Sequence, residues 1–380
     1  MRILINTATT YKGGGVQVAS SFIEECRNFP EHEYHVILGV GIAKITDTTT
    51  FPPNFTFYKI PYRPAERVFS FKDQAAFMKE VEKKAQPECV FTTSGPAYWR
   101  PKAPHLMGFN LAHYLYPESQ FYKIISKVAV IRWKLRGMVI KHFFEHDADA
   151  YVVQTDDINE RLVKWLGNPD VHTVTNTYGS QYDRETSGGA QFLPDNRGEE
   201  FRLLMLSSYY PHKNFEIINE IVSQLDYSKG GRAVKFVVTL PDDVYKRLFT
   251  EENRRHIYNV GPVKPVDCPQ LYTECDAVFT PTLLECFSAT YAEGMKMKVP
   301  IVTTDLGFAH TVCGDAALYF TPLDAGDAIK KILLLCNDEQ LQRKLVEAGQ
   351  ESMKKFNSSR ERAIKFLEIS ENLIKKSGAR

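Results

Sequence analysis

The chain carries almost no net charge. Its 380 residues include 47 lysines and arginines against 46 aspartates and glutamates, which leaves a formal charge of +1. Proteins dedicated to nucleic-acid binding usually carry a clear basic excess. The balance therefore argues against nucleic acid as the partner, although local clusters of charge can still matter.

Cysteines are few and dispersed. None of the seven forms a Cys-x-x-Cys pair with another. An odd, scattered set is typical of reduced thiols in a cytoplasmic protein, and it fits neither a disulfide framework nor a zinc site. We therefore expect a cytoplasmic protein without structural zinc.

Long apolar runs are also lacking. No window holds about 18 uncharged apolar residues, so the sequence predicts no transmembrane helix. The opening MRILINTATT has only a short apolar run and is typical of a first β-strand, not of a signal peptide. We expect a soluble protein, which can still lie on the inner face of a membrane without crossing it.

Short apolar runs alternate with helical patterns along both halves of the chain, a rhythm typical of parallel sheets covered by helices on both faces. Between the halves, residues 179–200 are polar and rich in glycine, which indicates a linker. The predicted domains are therefore 1–178 and 201–357. A C-terminal helix over about 358–380 can pack back on the first domain.

The segment from Glu285 to Glu293 carries the strongest chemical signal. It follows a predicted strand at Ala277–Thr280 and contains the small-residue start of a helix. Unpaired N–H groups at such a helix start suit a diphosphate. On one helix, the two glutamates would lie roughly 12 Å apart along the axis, beyond the roughly 5–9.5 Å of glycosidase carboxylate pairs. We therefore expect each carboxylate to hold a different end of one elongated ligand.

In its wider context this segment resembles a known family. The spacing E-x7-E, the preceding PTLLECF, the following VPIVTTD and the later GDAALYFTPLD are similar to the donor-binding region of retaining glycosyltransferases of family four. The resemblance implies the GT-B fold, with two doubly wound Rossmann-like α/β domains facing across a cleft. It also implies transfer of a sugar, with retention, from a UDP- or GDP-sugar to a glycan or lipid-linked acceptor in surface polysaccharide or glycoconjugate biosynthesis. The donor is a substrate, and neither a cofactor nor a metal is expected.

The resemblance also implies roles for individual residues. Glu285 would address the sugar, Glu293 the ribose hydroxyls and Lys213 the diphosphate. The remaining donor-binding positions are the helix start at Ser288, Ala289 and Thr290, and Val260 beside the base.

Three positions depart from the family pattern. Ser288 and Lys298 stand where the family usually has glycine, and Ser208 or Tyr209 takes the place of a phosphate-binding arginine. Either another cation replaces that arginine or the affinity for the donor is lower.

Two signals in the first half match the family more weakly. Gly13, Gly14 and Gly15 follow the first strand and let the backbone approach a ligand closely. His113 falls where the family has an active-site histidine near the donor sugar. Flexible-loop and ordinary surface roles are the alternatives for these residues.

Residues Gln120–His146 are predicted to form one long basic helix. In this prediction four lysines lie within about 40° of each other on a helical projection, apart from an apolar stripe. The lysines are 123, 127, 134 and 141, and the stripe is Phe121, Ile124, Val128, Ile131, Leu135 and Met138. The helix either packs on the core with a solvated lysine face or contacts anionic lipid as a peripheral membrane element.

Other interpretations remain open. The Asp147-Ala148-Asp149 motif is a metal signature of a different glycosyltransferase fold, but at the entrance to a strand it indicates capping or solvent exposure. The chain could also be a GT-B nucleotide-sugar epimerase, a phosphorylase, or an inactive partner subunit that only binds nucleotide.

Overall fold

A computed structural model describes residues 1–11, 13–60, 71–175, 178–183, 191–196, 198–225 and 231–378. The chain forms two compact units. The first comprises Met1–Pro117, Ser126–Asn176 and Asn357–Arg380. The second comprises Glu118–Ile125 and Thr177–Phe356.

The first unit is built on a seven-stranded parallel sheet with the order β3-β2-β1-β4-β5-β6-β7. Its central strand, Cys89–Thr92, is buried along its whole length because its side chains point to both covered faces. The strands are β1 Arg2–Asn6, β2 Glu33–Leu38, β3 Phe55–Lys59, β4 Cys89–Thr92, β5 His105–Gly108, β6 Ala150–Val153 and β7 Asp170–Thr173.

The second unit has a six-stranded parallel sheet with the order β10-β9-β8-β11-β12-β13. Its core includes Phe236, Phe279 and Phe320, and ring centroids of successive members lie 5.4 and 5.6 Å apart. The strands are β8 Glu200–Met205, β9 Ala233–Val238, β10 Ile257–Asn259, β11 Ala277–Thr280, β12 Ile301–Thr304 and β13 Ala317–Phe320.

Helices connect the strands of both sheets. Those in the first unit are α1 Gly14–Glu25, α2 Val40–Ala43, α3 Phe71–Ala85, α5 Lys127–Asp147, α6 Asp156–Leu166 and α14 Ser359–Gly378. Those in the second are α4 Phe121–Ile124, α7 Ile217–Gln224, α8 Asp242–Leu248, α9 Cys268–Thr273, α10 Ala289–Lys296, α11 Gly307–Cys313, α12 Ala325–Asn337 and α13 Glu339–Met353. No helix among these described residues is long and apolar enough to cross a bilayer.

The last helix, α14, belongs to the core of the first unit. Its Phe366 packs against Phe22 of α1 and Phe91 of β4, with ring centroids 5.3 and 4.9 Å apart. The apolar side of α14 therefore covers one face of the first sheet at β4, a strand that lies more than 200 residues earlier in the chain.

The predicted linker over 179–200 falls partly outside the described residues. In its described part, residues Ser180–Asp183 form a 3-10 turn. The backbone N–H groups of Phe192 and Leu193 donate to the carboxylate of Glu274, at distances between 2.8 and 3.1 Å. This part of the segment is therefore attached to the second unit by hydrogen bonds.

The prediction of one long helix over Gln120–His146 was wrong. The helix is interrupted at Ile125, whose backbone is extended, with φ −108° and ψ 159°. Ser126 then caps α5, because its hydroxyl accepts a hydrogen bond from the Ala129 N–H. Because of this interruption, Phe121 and Lys123 do not lie on the same continuous helix as the other predicted stripe and lysine residues.

The carboxylates of the Asp147-Ala148-Asp149 motif are bonded to backbone groups. Asp147 accepts from the N–H of Trp99 at 3.0 Å, and Asp149 accepts from the N–H of His105 at 2.9 Å. Arg100 also pairs with Asp149. Both aspartates therefore anchor loops at the start of β5 and β6.

We expect Phe366→Ala to lower the free energy of unfolding of the first unit by about 3–5 kcal/mol, because it leaves a cavity between α14, α1 and β4. Glu368→Ala, on the exposed side of the same helix, should change it by less than about 0.5 kcal/mol. Denaturant unfolding measures both. Equal, small effects would contradict a core role for α14.

Candidate functional site

The loops that follow β8 and β11 meet at the point of the second sheet where the order of the strands reverses. The strands β8, β9 and β10 extend to one side of this point, and β11, β12 and β13 extend to the other. In open parallel sheets, ligands bind beyond the carboxyl ends of the strands at such a point. Most of the predicted donor-binding residues lie on these two loops and on the helix that follows β11.

Lys213 and Glu285 form an ion pair across the two loops. Lys213 ends the 3-10 turn Pro211–Lys213 after β8, and Glu285 lies in the loop after β11. The hydroxyl of Thr282 donates to the same Glu285 oxygen at 3.0 Å. Both charged side chains are mostly shielded, with exposed fractions of 15% and 11%. The pair therefore sets the position of one carboxylate and one ammonium group.

Backbone hydrogen bonds hold the same two loops together. The carbonyl of His212 accepts from the N–H of Leu283 at 2.8 Å, and it also lies 3.2 Å from the Thr282 hydroxyl, whose single proton it shares with Glu285. The Ser119 hydroxyl donates to the Leu283 carbonyl at 2.7 Å. Burial, with a smaller effect from Lys213, lowers the pKa of His212 to about 3. The imidazole is therefore neutral near pH 7 and adds no charge beside the ion pair.

The helix α10 begins directly after this loop. Ser288 is its N-cap residue, with φ −99° and ψ 111°, and its side chain makes no capping hydrogen bond to the described residues. The first N–H groups of a helix have no partner within the helix, so those at Ala289 and Thr290 are suited to bind an anion. The backbone of Ser288 is extended, a conformation that any residue adopts. Serine can therefore replace the family's glycine here without strain.

Glu293 lies one turn further along α10, among aromatic hydroxyls. The Tyr272 hydroxyl donates to its Oε2 at 2.8 Å, and Tyr182 is a second hydrogen-bonding partner. Both tyrosines are buried, and their ring centroids are 5.8 Å apart. Burial raises the pKa of Glu293, and the two hydroxyls and the Lys213 charge only partly offset that increase.

Val260 lies just beyond the carboxyl end of β10, with its N–H bonded to the Val238 carbonyl at 3.0 Å. It is at the same edge of the sheet as Glu285, but β9 and β8 separate β10 from β11. The structure thus brings Lys213 and Glu285 into contact, and it places Val260 at a separate position along that edge.

Neither Ser208 nor Tyr209 provides a cation at the place of the family's arginine. The Tyr209 hydroxyl donates to Glu216 at 2.7 Å. Its ring lies beside Phe215 and beneath the guanidinium of Arg247, which is 5.7 Å from the ring centroid. The tyrosine therefore packs against the helices of its own unit.

In the first unit, Gly13 has φ 73° and precedes α1. This conformation favours glycine. A Cβ atom built on Gly14 would meet nothing within 4 Å, and one on Gly15 would be 3.8 Å from its nearest neighbours. Close packing against the described residues is therefore not the reason that positions 14 and 15 are glycine. The open space leaves room for a ligand near the backbone.

His113 lies in the 3-10 turn Ala112–Tyr114 after β5. Its ring stacks on Trp133 of α5, with centroids 4.3 Å apart and planes 2° from parallel. The ring of Tyr114 packs closely against the same helix at Gly137. A Cβ atom built on that glycine would lie only 3.0 Å from the ring. The orientation of the histidine is therefore set by α5.

Sequence reasoning missed Thr282, Tyr272 and Tyr182. Thr282 stands three residues before Glu285 in the PTLLE segment, and this proximity was a usable signal. Tyr272 lies on the short helix α9, and Tyr182 lies in the polar segment interpreted as a linker. Their approach to Glu293 depends on tertiary packing, which no local pattern reports.

Comparisons with known proteins give one family and several similar chains. Residues 192–352 match the family model described as glycosyl transferases group 1. An uncharacterized glycosyltransferase of Methanocaldococcus jannaschii is 25% identical over 167 residues. That alignment covers 43% of this chain and 46% of the relative, so the chain spans less than half the length of the curated relative it matches.

Solved structures match nearly the whole chain at low identity. A glycosyltransferase from Rickettsia africae has a TM-score of 0.72 at 17% identity, with 98% of both chains covered. The Anabaena protein HepE, in complex with UDP and glucose, has a TM-score of 0.68 at 14% identity, with 97% of this chain and 99% of that chain covered. At these identities the likeness shows the fold.

Lys298, at the other position where the family has glycine, has φ 58°. A left-handed conformation costs a side-chain-bearing residue about 1–2 kcal/mol. We expect Lys298→Gly to raise the free energy of unfolding of the second unit by about 1 kcal/mol in denaturant titrations. Glycine removes the strain, but the larger conformational entropy of its unfolded chain offsets part of that stabilisation. The matched variant Lys298→Ala keeps the strain and should stay within about 0.5 kcal/mol of the parent. Equal stabilities of the two variants would refute a strain at this position.

Proposed function

Because the chain has the GT-B fold and its residues 192–352 match the glycosyl transferases group 1 family model, we propose that it transfers a sugar from a nucleoside diphosphate donor to a glycan or lipid-linked acceptor. The observation that carries the proposal is the Lys213–Glu285 ion pair beside the start of α10. It combines an ammonium group, a carboxylate and the first N–H groups of a helix beyond the carboxyl ends of the strands.

The diphosphate of the donor binds between Lys213 and the first N–H groups of α10 in this proposal. The helix dipole and the ammonium group both favour an anion at that place. The glycosidic bond between the anomeric carbon and the diphosphate oxygen breaks, and the bonding electrons stay on that oxygen. Preorganised donors stabilise the charge that develops there. The oxygen of an acceptor hydroxyl forms the new bond to the anomeric carbon, and its proton passes to the departing diphosphate.

Glu285 addresses the sugar. Lys213 and Thr282 fix one of its oxygens, and the carboxylate keeps further capacity to accept hydrogen bonds. We assign it the positioning of the sugar and the stabilisation of positive charge near the anomeric carbon. Retention of configuration is the outcome that the family resemblance implies.

Glu293 binds the ribose hydroxyls. Two tyrosine hydroxyls already donate to this carboxylate, but a carboxylate has about four acceptor positions. The tyrosines thus hold the side chain in place and leave acceptor positions for a diol. Val260 borders the base. A UDP-sugar is the first donor to test, since HepE, a protein of the same fold, was solved with UDP and glucose.

The acceptor side is assigned to Gly14, Gly15 and His113 of the first unit. The open space at the two glycines admits a ligand, and the imidazole held on Trp133 can exchange hydrogen bonds with a sugar hydroxyl. The biological setting that we propose is the synthesis of surface polysaccharides or glycoconjugates, in the cytoplasm.

The proposal is tested first by donor binding and turnover. Thermal unfolding of the full chain should shift upward with one class of nucleoside diphosphate, because a ligand that binds only the folded state stabilises it. The matching nucleotide sugar should then be consumed only when an acceptor is supplied. Conversion of the donor without acceptor would instead indicate an epimerase, and tight nucleotide binding without any turnover would indicate an inactive partner subunit.

Lys213→Ala should weaken donor binding by about 10- to 100-fold in calorimetry, because a charge-assisted contact to the diphosphate contributes about 1.5–3 kcal/mol. The control is Lys344→Ala, which removes an exposed lysine from α13 and should leave the affinity unchanged. Unfolding of both variants is measured alongside, because Lys213→Ala also leaves Glu285 without its partner. Unchanged affinity in Lys213→Ala would contradict the diphosphate assignment.

Donor affinity should also depend on pH through Glu293. Only the ionised carboxylate accepts two hydrogen bonds from a ribose diol, and burial raises the pKa of this group. Affinity for a nucleotide sugar should therefore fall on acidification, starting above the usual pH range of a glutamate. Glu293→Gln should bind about 10-fold or more weakly near neutral pH and lose that acid-side dependence. A variant with the parent's affinity and pH profile would remove the ribose role.

A further inference from the structure

Large apolar side chains are concentrated on the exposed side of α5. Five of them on this helix have exposed fractions between 55% and 67%: Val128, Ile131, Leu135, Met138 and Val139. Exposed apolar residues of soluble proteins are normally scattered singly, and a contiguous group marks an interaction surface. In the structure these five residues are not covered by any described part of the chain. The core-packed interpretation of the predicted stripe was therefore wrong for the residues on α5.

The five side chains share one face of α5, which we call the outer face. At about 100° per residue, they fall within about 100° of the helix circumference. The residues that face the first unit, among them Trp133, Ile140 and Phe144, are centred about 180° away. His142 and His146 project in the same sector at the C-terminal end of the helix, with ring centroids 4.2 Å apart. The outer face thus points directly away from the core that holds the helix.

Cations border the outer face on both sides. On the helical projection, Lys127 and Lys134 lie along one edge, and Arg132 and Arg136 lie along the other. All four are exposed. From residue 119 to residue 144 the sequence contains no aspartate or glutamate. The surface is therefore an apolar strip between two basic rows, with no acidic side chain on the helix before Glu145.

We propose that the outer face of α5 binds an anionic lipid surface, with the helix lying in the plane of the headgroups. An interfacial helix buries apolar side chains at the boundary of the acyl chains and places basic side chains at the phosphates. At 21 residues, α5 is about 30 Å long. This length lets the whole strip contact lipid at once.

The charges favour lipid over a second copy of the chain. Two copies joined through their outer faces would bring four basic rows together, and like charges at short distance repel. An anionic lipid surface instead offers acyl chains to the apolar side chains of the outer face and negative headgroups to the basic side chains at its edges. Binding of this kind requires no catalysis, so it can be measured independently of the proposed sugar transfer.

The test is flotation of the full chain with vesicles. The protein should float with vesicles of phosphatidylglycerol mixed with phosphatidylcholine, and much less with phosphatidylcholine alone. Added salt should release part of the protein, because exposed charges are screened. Equal flotation with both vesicles would overturn the role of the basic rows, and no flotation with either would overturn the proposal.

Two triple variants separate the apolar strip from its borders. Ile131→Ser, Leu135→Ser and Met138→Ser together should weaken binding by on the order of 100-fold or more, because three apolar side chains no longer leave water. Lys127→Gln, Lys134→Gln and Arg132→Gln together should weaken it by on the order of 100-fold, since each basic residue near an anionic surface contributes about 1 kcal/mol. The control is Leu333→Ser with Leu334→Ser, which removes two exposed leucines of α12 and should bind as the parent does.

The remaining outcomes decide between occupants. All sites are exposed, so thermal unfolding of the variants should match the parent. If the parent is a dimer in solution and the serine triple variant is a monomer, while neither floats, the outer face is a self-association surface and the lipid proposal falls. A serine triple variant that still floats like the parent would also overturn it.

Discussion

The ion pair between Lys213 and Glu285 connects the two loops on which the candidate donor site depends. One loop follows β8 and the other follows β11. These two parallel strands are neighbours because the later strands, β11 to β13, are added on the opposite side of β8 from β9 and β10. Removing two charges from water costs free energy that their attraction does not always return. A shielded pair at the carboxyl ends of the strands is therefore a weak source of stability, and in the proposed function it holds two opposite charges where a charged ligand would meet both.

The same constraint explains why the surrounding polar groups are arranged as they are. The Thr282 hydroxyl, the His212 carbonyl and the Leu283 N–H bond to one another or to Glu285. They leave the charged pair few alternative geometries. Further along α10, Glu293 is oriented by hydroxyls from two buried tyrosines. Carboxylates at the two ends of this segment are thus preorganised by different neighbours, which suits contacts with different parts of one ligand.

Local patterns in the sequence were sufficient to predict two parallel sheets covered by helices. Strand β11 begins and ends at the predicted residues, Ala277–Thr280, because it is a short apolar run that follows an aspartate and ends before a proline. The interruption at Ile125 was not predicted, since the apolar spacing continues through it and only the capping Ser126 signals a new helix. Tyr182 could not be assigned either. Its segment has no periodicity, and its place beside Glu293 is decided by tertiary packing.

The helix α5 links two features that were predicted separately from the sequence, His113 and the apolar stripe with its lysines. Its inner face stacks Trp133 on His113 and accommodates Tyr114 at Gly137, so it determines how the candidate acceptor-side histidine is held. Its outer face carries the apolar strip and the basic rows. A helix fixed to lipid through one face would hold His113 near that lipid through the other, since the two faces are only one helix diameter apart, about 10–12 Å. An acceptor anchored in the same lipid surface would then be presented close to the histidine, and a water-soluble acceptor would gain nothing from the exposed strip.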